Sequence, residues 1–460
     1  MRNINDFFER IANAKVLFCG MGVTNIPLVE MFAKRGISTL ACDKKPRAEI
    51  GEIADTLENL GAKLFFEVDD VNTIDCDIIF RTPGLYFNCE MLNIARERGK
   101  IVTSELEVLL DYCLSHTIGI TGSDGKTTTT TLISEILNKA GKTVHKGGNI
   151  GRNLLADIEK MQRDDFVVAE ISSFQLISMR NSPDVSIVTN MSENHLDVHK
   201  DMPEYIDAKR NIFLHQSAFG KTIINLDNDI TKTFAADIRG IKYEFSRLTE
   251  PARGAFVRGE KIFFKDESGE IEIMNVADIA LKGTHNVENY LAAICATIKH
   301  ASPADIKYVA QNFMGVEHRC QLIKENGGVK WYNDSIATTP SRTKAGLIPF
   351  EKPVILLAGG YDKNLDYAPL APIILEKVKV LILMGATAKK IETAVKSHEN
   401  YNANKLEIIH AKDLQEAVKI AAEKSTAGDE IVLSPASASF DHFKNFEERG
   451  YTFKKYVSEL

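Results

Sequence analysis

Residues 117–131 read TIGITGSDGKTTTTT, an apolar strand pattern that runs into a glycine-rich turn and then into a helix beginning at Lys126. The backbone N–H groups of residues 122–125 and the positive end of the helix can wrap phosphates, Lys126 can reach a terminal phosphate, and Thr127 can hold Mg²⁺. The general pattern has glycine where this chain has Ile120, and glycines stand at 119 and 122 instead. A plain strand–turn–helix junction is the alternative. The coincidence of GKT with the helix start favours ATP binding.

The composition indicates a globular protein that acts on small molecules. A length of 460 residues predicts about three domains of roughly 150 residues each. The net charge of -7 argues against nucleic acid as the main partner. Seven scattered cysteines without a CxxC pair fit reduced thiols better than a disulfide framework or a zinc site. With no apolar leader and no apolar run of about 18 residues, we expect a cytoplasmic protein with no membrane partner. A monomer is a separate expectation, which these features do not test.

Three successive blocks of the chain alternate apolar runs with helical segments, which is typical of parallel α/β sheets. We predict an α/β fold with three domains: a Rossmann-like N-terminal domain at 1–104, a central P-loop ATPase-like parallel sheet at 105–314, and a Rossmann-like C-terminal domain at 315–460. Within the central block, residues 241–275 predict a β-hairpin insertion, and residues 287–301 predict a helix.

The first block carries a partial dinucleotide fingerprint. Gly20 and Gly22 follow a predicted strand, and Asp43 ends the next strand, but Asn25 stands where the fingerprint has its third glycine. Three interpretations stay open: an NAD(P) site, a site for another nucleotide such as a uridine diphosphate, or a plain turn between strand and helix.

In the second block, polar side chains end strands that should point the same way, so they should converge at one edge of the sheet. Glu170 follows FVVA and is a natural Mg²⁺ ligand. His195 could bind a second metal or simply pack or cap. Lys209 is either a site residue or a solvated surface lysine. Asn286 and Asn289, one helical turn apart, could present amides to an adenine or cap a helix.

Seven motifs occur in an order that, taken together, resembles the Mur ligase family, the ATP-dependent amide-forming enzymes of peptidoglycan precursor assembly. They are TGSDGKTT, GGNIG, EISSFQL, NMSENHLD, AKRNIF, GTHNVEN and EHRCQ. WYNDSIAT and LSPASASFDHFKNFEERG are similar to the acceptor-domain motifs of the family's D-glutamate-adding members. The resemblance implies a ligase that joins D-glutamate to UDP-N-acetylmuramoyl-L-alanine through an acyl phosphate, with ATP, two Mg²⁺ ions and a carbamylated lysine at Lys209.

The same resemblance assigns roles to individual positions. ATP-binding residues are Gly122, Ser123, Asp124, Gly125, Lys126, Thr127, Thr128, Asn286, Asn289, Arg319 and Asp334. Residues that bind the UDP substrate are Val23, Thr24, Asp43, Lys45, Thr82, Gly84 and Asn149. D-Glutamate-binding residues are Thr338, Lys363, Ser439 and Phe446. Catalytic residues are Lys126, Glu170, His195 and Lys209, and metal ligands are Thr127, Glu170, His195 and Lys209.

Two segments depart from the family pattern. Ile336 stands where the family has the lysine of NDSKAT, so a charge near the reacting phosphate or the incoming amino acid is missing, and GGYDKNLDY differs in spacing. The alternatives are a sibling Mur ligase or a folylpolyglutamate synthase-like ligase with another acceptor, an NAD-linked oxidoreductase with a regulatory ATP site, and a non-catalytic ATP-binding scaffold.

Overall fold

Short apolar runs at the start of the chain form a parallel sheet in the order β3-β2-β1-β4-β5. The structure is a computed structural model that describes residues 3–22, 24–151, 153–192, 198–281 and 283–460. The chain order reverses between β1 and β4, and ligands of open α/β sheets bind at such switch points. The strands are β1 Lys15–Cys19, β2 Ser38–Cys42, β3 Lys63–Phe65, β4 Ile78–Phe80 and β5 Ile101–Thr103; the helices are α1 Ile4–Arg10, α2 Ile26–Lys34, α3 Arg47–Ile50, α4 Glu52–Asn59 and α5 Glu90–Glu97.

A second sheet follows, in the order β14-β13-β12-β11-β10-β9-β6-β8-β7, and it is parallel from β12 to β7. The strands are β6 His116–Thr121, β7 Val144–Gly148, β8 Phe166–Glu170, β9 Val185–Val188, β10 Lys221–Asn225, β11 Ile241–Ser246, β12 Gly254–Arg258, β13 Lys261–Asp266 and β14 Gly269–Asn275. The helices are α6 Glu105–Tyr112, α7 Lys126–Lys139, α8 Ser173–Leu176, α9 Met202–Leu214, α10 Thr284–Thr297 and α11 Pro303–Asn312.

Two local predictions in this sheet need adjustment. The segment predicted as a β-hairpin holds three antiparallel strands, because a second turn at residues 267–268 folds β14 back onto β13. The helix predicted at 287–301 begins at Thr284, directly after Gly283 with its φ of 115°, and ends at Thr297. Apolar periodicity alone does not mark such ends, since polar residues occupy the first turn of the helix.

The third sheet has the order β15-β16-β20-β17-β18-β19, with only the edge strand β15 antiparallel among the described pairs. Its strands are β15 Gln321–Asn326, β16 Val329–Asn333, β17 Val354–Gly359, β18 Val378–Met384, β19 Glu407–His410 and β20 Glu430–Leu433; its helices are α12 Pro340–Leu347, α13 Ala371–Lys377, α14 Ala388–Lys396, α15 Leu414–Lys424 and α16 Phe446–Ser458. Short 3₁₀ segments lie at Val71–Thr73, Leu155–Lys160, Thr231–Ala236, Val276–Asp278 and Ala368–Leu370.

The chain divides into two compact units, Met1–Phe313 and Met314–Leu460. Parallel-dominated sheets with covering helices in both units confirm the predicted α/β class. The first unit contains the first and second sheets and the second unit contains the third, while the predicted domain borders after residues 104 and 314 stay predictions. Within the described residues, no helix is long and apolar enough to cross a membrane.

A buried arginine joins the two sheets of the first unit. Arg81 follows β4, is 2% exposed, and donates hydrogen bonds to the carbonyl of Phe174 at 2.8 Å and to the Ser178 hydroxyl at 2.8 Å. Burial lowers the pKa of Arg81 from its ordinary value. One apolar cluster also runs from α1 and α2 through Leu109 and Leu155 to Ile212, so the first sheet rests on the second through a continuous core.

Candidate active site

The glycine-rich turn between β6 and α7 has a conformation that side chains would not permit. Gly125 lies in the left-handed region with a φ of 77°, and a Cβ there would collide with the amide oxygen of Asn289. Gly122 has a φ of 145°, and a Cβ there would collide with the Thr189 hydroxyl. The two glycines therefore let the loop lie directly against α10 and the end of β9.

The loop is anchored on the residues that follow β9. The Ser123 amide donates to the carbonyl of Asn190 at 2.9 Å, and the Asp124 amide donates to the Asn190 side-chain oxygen at 2.9 Å. Thr189 donates its hydroxyl to the carbonyl of Asp124 at 2.6 Å. These bonds fix the loop before any ligand arrives. Asn190 and Thr189 were absent from the predicted site, although the motif VSIVTN placed them at a strand end.

Five of the predicted residues meet at the carboxyl edge of the second sheet. Thr127 donates its hydroxyl to Glu170 Oε2 at 2.7 Å, and Asn149 donates its amide to Glu170 Oε1 at 2.8 Å. The ammonium of Lys126 donates to the carbonyls of residues 122 and 123 at 2.9 and 2.8 Å. We call Lys126, Thr127, Asn149, Glu170 and Lys209 the phosphate edge.

Lys209 lies on α9 and is buried, with 2% of its surface exposed. Its ammonium nitrogen donates to the carbonyl of Gly122 at 2.8 Å and to the Thr121 hydroxyl at 3.3 Å. Burial, and then the charge of Lys126, hold the pKa of Lys209 well below its usual range. The prediction of a solvated surface lysine is therefore wrong, because the side chain of Lys209 is buried at the phosphate edge.

The oxygen donors of this edge fit a hard divalent cation. Mg²⁺ prefers oxygen ligands and usually keeps several waters, being held by one or two protein groups plus substrate phosphates. The Thr127 hydroxyl and the Glu170 carboxylate are such groups. His195, the other predicted metal ligand, lies outside the described residues. In the described part of the chain, no group of three or more His, Cys, Asp or Glu side chains is placed to hold a metal alone.

A cavity of about 370 Å³ opens beside the loop. Asp124, Gly125 and Asn289 among the predicted residues line it. Both predicted asparagines are buried, and Asn289 accepts a hydrogen bond from Thr129 at 3.2 Å and donates to Asn286 at 3.2 Å. The cavity is also lined by residues that sequence reasoning missed: Thr189, Asn190, Phe245, His285 and Glu288.

A smaller cavity, about 190 Å³, lies at the carboxyl edge of the first sheet. Asp43, Thr82 and Gly84 line it, as does Lys44 rather than the predicted Lys45. The carboxylate of Asp43 accepts from the backbone amides of Met21 at 2.7 Å and Lys45 at 3.0 Å, so it shapes the glycine loop.

Other residues predicted to bind the UDP substrate do not line this cavity. The carbonyl of Thr24 accepts from Asn153, Asn149 belongs to the phosphate edge, and Val23 lies outside the described residues. Asn25, where the fingerprint has its third glycine, is buried and donates its side-chain amide to the carbonyls of Cys19 and Gly20 at 2.9 and 3.0 Å. Its amide stabilises the loop from within.

In the second unit, four predicted residues occupy neighbouring segments, and we call Thr338, Lys363, Ser439 and Phe446 the acceptor cluster. A bridge between residues 361 and 438 brings the segments of Lys363 and Ser439 together, and the Lys363 ammonium lies 5.3 Å from the ring centre of Phe440. Ser335, in the loop that leads to Thr338, donates its hydroxyl to the carbonyl of Phe446 at 2.8 Å.

Asp334, predicted to contact ATP, is buried at the end of β16. It accepts from the Ser434 hydroxyl at 2.7 Å and from the backbone amide of Cys320 at 3.1 Å. Burial raises the pKa of Asp334 to about 6. Arg319 lies within range of Asp334, and its charge acts in the opposite direction on that pKa. Arg319 and Asp334 therefore lie close enough within the second unit for their charges to interact.

Comparison with known proteins identifies the chain. Residues 120–297 match the Mur ligase middle domain, and residues 318–437 match the Mur ligase, glutamate ligase domain. The chain is similar to the UDP-N-acetylmuramoylalanine--D-glutamate ligase of Clostridium botulinum strain Hall, with 46% identity over 459 residues, 100% of this chain and 99% of the relative. The ligase of the same name from Acetivibrio thermocellus is 45% identical over 460 residues, 99% of each chain.

The chain belongs to the Mur ligase family. This confirms the resemblance drawn from its motifs.

Solved structures agree at the level of the fold. This Mur ligase chain resembles the UDP-N-acetylmuramate-alanine ligase of Thermotoga maritima with a TM-score of 0.53 at 17% identity, covering 97% of this chain and 100% of the other. It also resembles a pseudomurein peptide ligase type C from Methanothermus fervidus with a TM-score of 0.51 at 20% identity, with the same coverage.

One buried residue that no site prediction included organises the acceptor side of this Mur ligase. Arg449, on α16, is 1% exposed and donates to the carbonyls of Ser437 and Ala438 at 3.0 and 3.1 Å. It also donates to the hydroxyl and carbonyl of Ser335 at 3.0 and 2.9 Å. Burial lowers the pKa of Arg449 to about 10. The guanidinium therefore ties the loop before Thr338 to the loop before Ser439.

Proposed function

We propose that the chain is an ATP-dependent ligase that adds D-glutamate to UDP-N-acetylmuramoyl-L-alanine in peptidoglycan precursor synthesis. The observation that carries the proposal is the 45–46% identity, over essentially the whole chain, to relatives that bear the name UDP-N-acetylmuramoylalanine--D-glutamate ligase. The phosphate edge supports the chemistry, because it combines a glycine loop, a lysine and an oxygen pair suited to Mg²⁺.

The reaction must first activate a carboxylate, which is a poor electrophile. The terminal alanine carboxylate of the donor attacks the γ-phosphorus of ATP, ADP leaves, and an acyl phosphate forms. Lys126 and the positive end of α7 would hold and neutralise the phosphates, which reduces the repulsion between two anions. The amine of D-glutamate then attacks the acyl carbon, the tetrahedral oxyanion collapses, and phosphate leaves with formation of the amide.

Mg²⁺, bound with ATP, would neutralise the phosphate oxygens, and the proposal includes two ions. Thr127 and Glu170 would hold one of them, and His195 and Lys209 would complete the set. Asn149 keeps Glu170 oriented, since it occupies Oε1 while Thr127 occupies Oε2. This arrangement holds the carboxylate in place and leaves its remaining lone pairs for the cation.

Lys209 enters the proposal as a carbamate. Its neutral nitrogen would attack the carbon of CO₂, a C–N bond would form, and one proton would pass to solvent, leaving an anionic carboxylate-like group. The buried position and the lowered pKa of Lys209 support this step, since only an unprotonated amine can attack CO₂. The negative charge of the carbamate would also attract the ammonium of Lys126.

The remaining predicted residues complete the proposal. Asn286 and Asn289 are assigned to the adenine, and of the two Asn289 lines the cavity beside the loop. Arg319 and Asp334 are assigned to ATP, and the acceptor cluster is assigned to D-glutamate. For the first-sheet cavity, family membership favours the uridine diphosphate interpretation over NAD(P), and Asp43, Thr82 and Gly84 line this cavity. The proposed donor-binding set also includes Val23, Thr24, Lys45 and Asn149. The three domains at 1–104, 105–314 and 315–460, a monomeric state and a cytoplasmic location, where ATP is supplied, belong to the same proposal.

The deciding experiment is phosphate release from ATP with UDP-N-acetylmuramoyl-L-alanine and Mg²⁺, with D-glutamate, L-glutamate and a panel of other amino acids as acceptors. We expect turnover with D-glutamate alone. Turnover with a different amino acid would keep the ligase mechanism and favour a sibling ligase. Ile336 is the residue that raises this alternative, because it stands where the family pattern has a lysine. No phosphate release with any acceptor would overturn the proposed donor.

A further inference from the structure

D-Glutamate carries two carboxylates at neutral pH, so its binding site has two negative charges to compensate. The acceptor cluster contains one cation, Lys363, and Ile336 stands where the family pattern has a lysine. A carboxylate that is desolvated without a cation or several hydrogen-bond donors is costly to bind. The inference that follows rests on the proposed function and concerns the source of the second charge.

Arg342, in the first helical turns of α12, lies beside this cluster. Its Nη1 donates to the carbonyl of Ile336 at 3.3 Å, and the same carbonyl accepts from the backbone amide of Thr338 at 2.8 Å. Both donor nitrogens bond to the same oxygen, so the distance between them cannot exceed the sum of the two bond lengths, about 6 Å. The guanidinium therefore lies next to Thr338, one of the four residues of the acceptor cluster.

Most N–H groups of the Arg342 guanidinium have no acceptor among the described residues. Arg342 is exposed, and within the described residues the bond to Ile336 is the one hydrogen bond of its side chain, with no carboxylate within 4.0 Å. The charge of Arg342 acts on the buried acid Asp334, which already accepts from Ser434 and Cys320. A guanidinium has five N–H donors in a fork that matches a carboxylate.

Three other cations of the second unit differ from Arg342 in their contacts. Arg449 is buried, and its donors are directed to Ser335, Ser437 and Ala438. Lys390 is paired with Asp362 at 2.6 Å. Lys344 is on the same helix as Arg342 and is exposed like it, but among the described residues it makes no hydrogen bond to the loop at Ile336.

We propose that Arg342 is a carboxylate-binding residue of the acceptor site, paired with Lys363, and that it supplies the positive charge that Ile336 does not. The carbonyl of Ile336 holds the guanidinium at the Thr338 loop, and its free N–H groups receive one carboxylate of D-glutamate. Lys363 receives the other. The site thereby selects an acceptor with two carboxylates over one with a single carboxylate.

The test compares wild type with Arg342→Met, with the matched control Lys344→Met on the same helix, and with the double variant Ile336→Lys, Arg342→Met. We expect Arg342→Met to raise the KM for D-glutamate about tenfold or more, the usual scale for one charged hydrogen-bonding pair. The KM values for ATP and for UDP-N-acetylmuramoyl-L-alanine should stay unchanged, as should all three values in Lys344→Met. The lysine of the double variant should recover most of the loss.

A second readout separates binding from a structural role. Wild type should favour D-glutamate over D-glutamine in kcat/KM, and Arg342→Met should lose about tenfold of that preference. Three results would each overturn the proposal: an equal loss of kcat/KM with D-glutamate and with D-glutamine, an unchanged KM for D-glutamate, or a KM in the double variant as high as in Arg342→Met.

These outcomes are independent of the proposed function, which fails only if wild type does not turn over D-glutamate. If wild type used another amino acid with a second carboxylate, the same variants would be compared with that acid and its amide. Preference for an acceptor without a second carboxylate would overturn the role of Arg342 as well.

Discussion

The phosphate edge and the acceptor cluster hold their lysine side chains in different ways. Lys126 and Lys209 in the phosphate edge both donate to the carbonyl of Gly122, and Lys209 is buried. In the acceptor cluster, Lys363 is exposed and rests over the ring of Phe440. The first arrangement is fixed before substrates arrive, whereas the second must lose water and side-chain freedom on binding.

The difference predicts that changes in the phosphate edge act on the chemical step and changes in the acceptor cluster act on affinity. Groups that are already positioned stabilise developing charge without reorganisation. Flexible surface cations contribute less, because part of their interaction energy is spent on ordering.

Lys126→Ala tests the fixed side of the comparison and should have the largest effect. We expect kcat to fall about a thousandfold while the far-ultraviolet circular dichroism spectrum stays that of wild type. Lys139→Ala, an exposed lysine in the last turn of the same helix, is the control. Phosphate release within about tenfold of wild type would contradict a role for Lys126 in holding the phosphates.

Lys209→Ala should follow, with a loss of about a hundredfold in kcat, since a proposed metal ligand disappears while the loop remains. Added short carboxylates such as acetate or formate should restore part of the activity by occupying the space of the carbamate. Measurement of phosphate release against carboxylate concentration checks this. A flat response would count against the carbamate and leave Lys209 as a structural cation.

Glu105→Gln tests how the buried carboxyl group of Glu105 makes the stability of the first unit depend on pH. Burial raises the pKa of Glu105 to about 7, while its carboxylate accepts from the amides of Leu154 and Leu155. An acid whose folded pKa is raised gives stability that is complete below its unfolded pKa and is lost as pH rises through the folded pKa, here between about 4.5 and 7.

Wild type should therefore lose about 2 kcal/mol in free energy of unfolding between pH 5 and 8 relative to Glu105→Gln, which keeps the acceptor oxygen. Urea unfolding at several pH values measures this difference. Glu135→Gln, at an exposed position on α7, is the control. Identical pH profiles for Glu105→Gln and wild type would show that Glu105 is ionised in the folded protein across this range.

Lys363→Met tests the solvated side and should have the smallest effect. We expect the KM for D-glutamate to rise about fivefold to tenfold with kcat little changed, because the ammonium is exposed and only partly desolvated on binding. Lys389→Met, an exposed lysine on α14, is the control. A large fall in kcat without a change in KM would place Lys363 on the chemical step and remove the contrast between the two regions.

Much of the fold and part of the site followed from local sequence. Strands with apolar runs, the helix at Lys126 and the parallel direction of β6, β8 and β9 were predictable from periodicity and turn residues. The third strand of the insertion was not predicted, although Ser268 and Gly269 mark the turn that precedes it. The burial of Lys209 was open as well, because an isolated lysine on a helix looks the same whether it faces a core or water.

The amino-acid sequence by itself determined the phosphate loop, the α/β class and the family, because glycine spacing, strand-end polar residues and motif order are properties of the chain. Only the tertiary structure decided which distant residues meet: Asn190 with Asp124, Asn149 with Glu170, and Arg449 with Ser335. Those contacts join segments between 21 and 114 residues apart in sequence. Hydrogen bonding over such separations depends on how the sheets fold, and no local pattern encodes it.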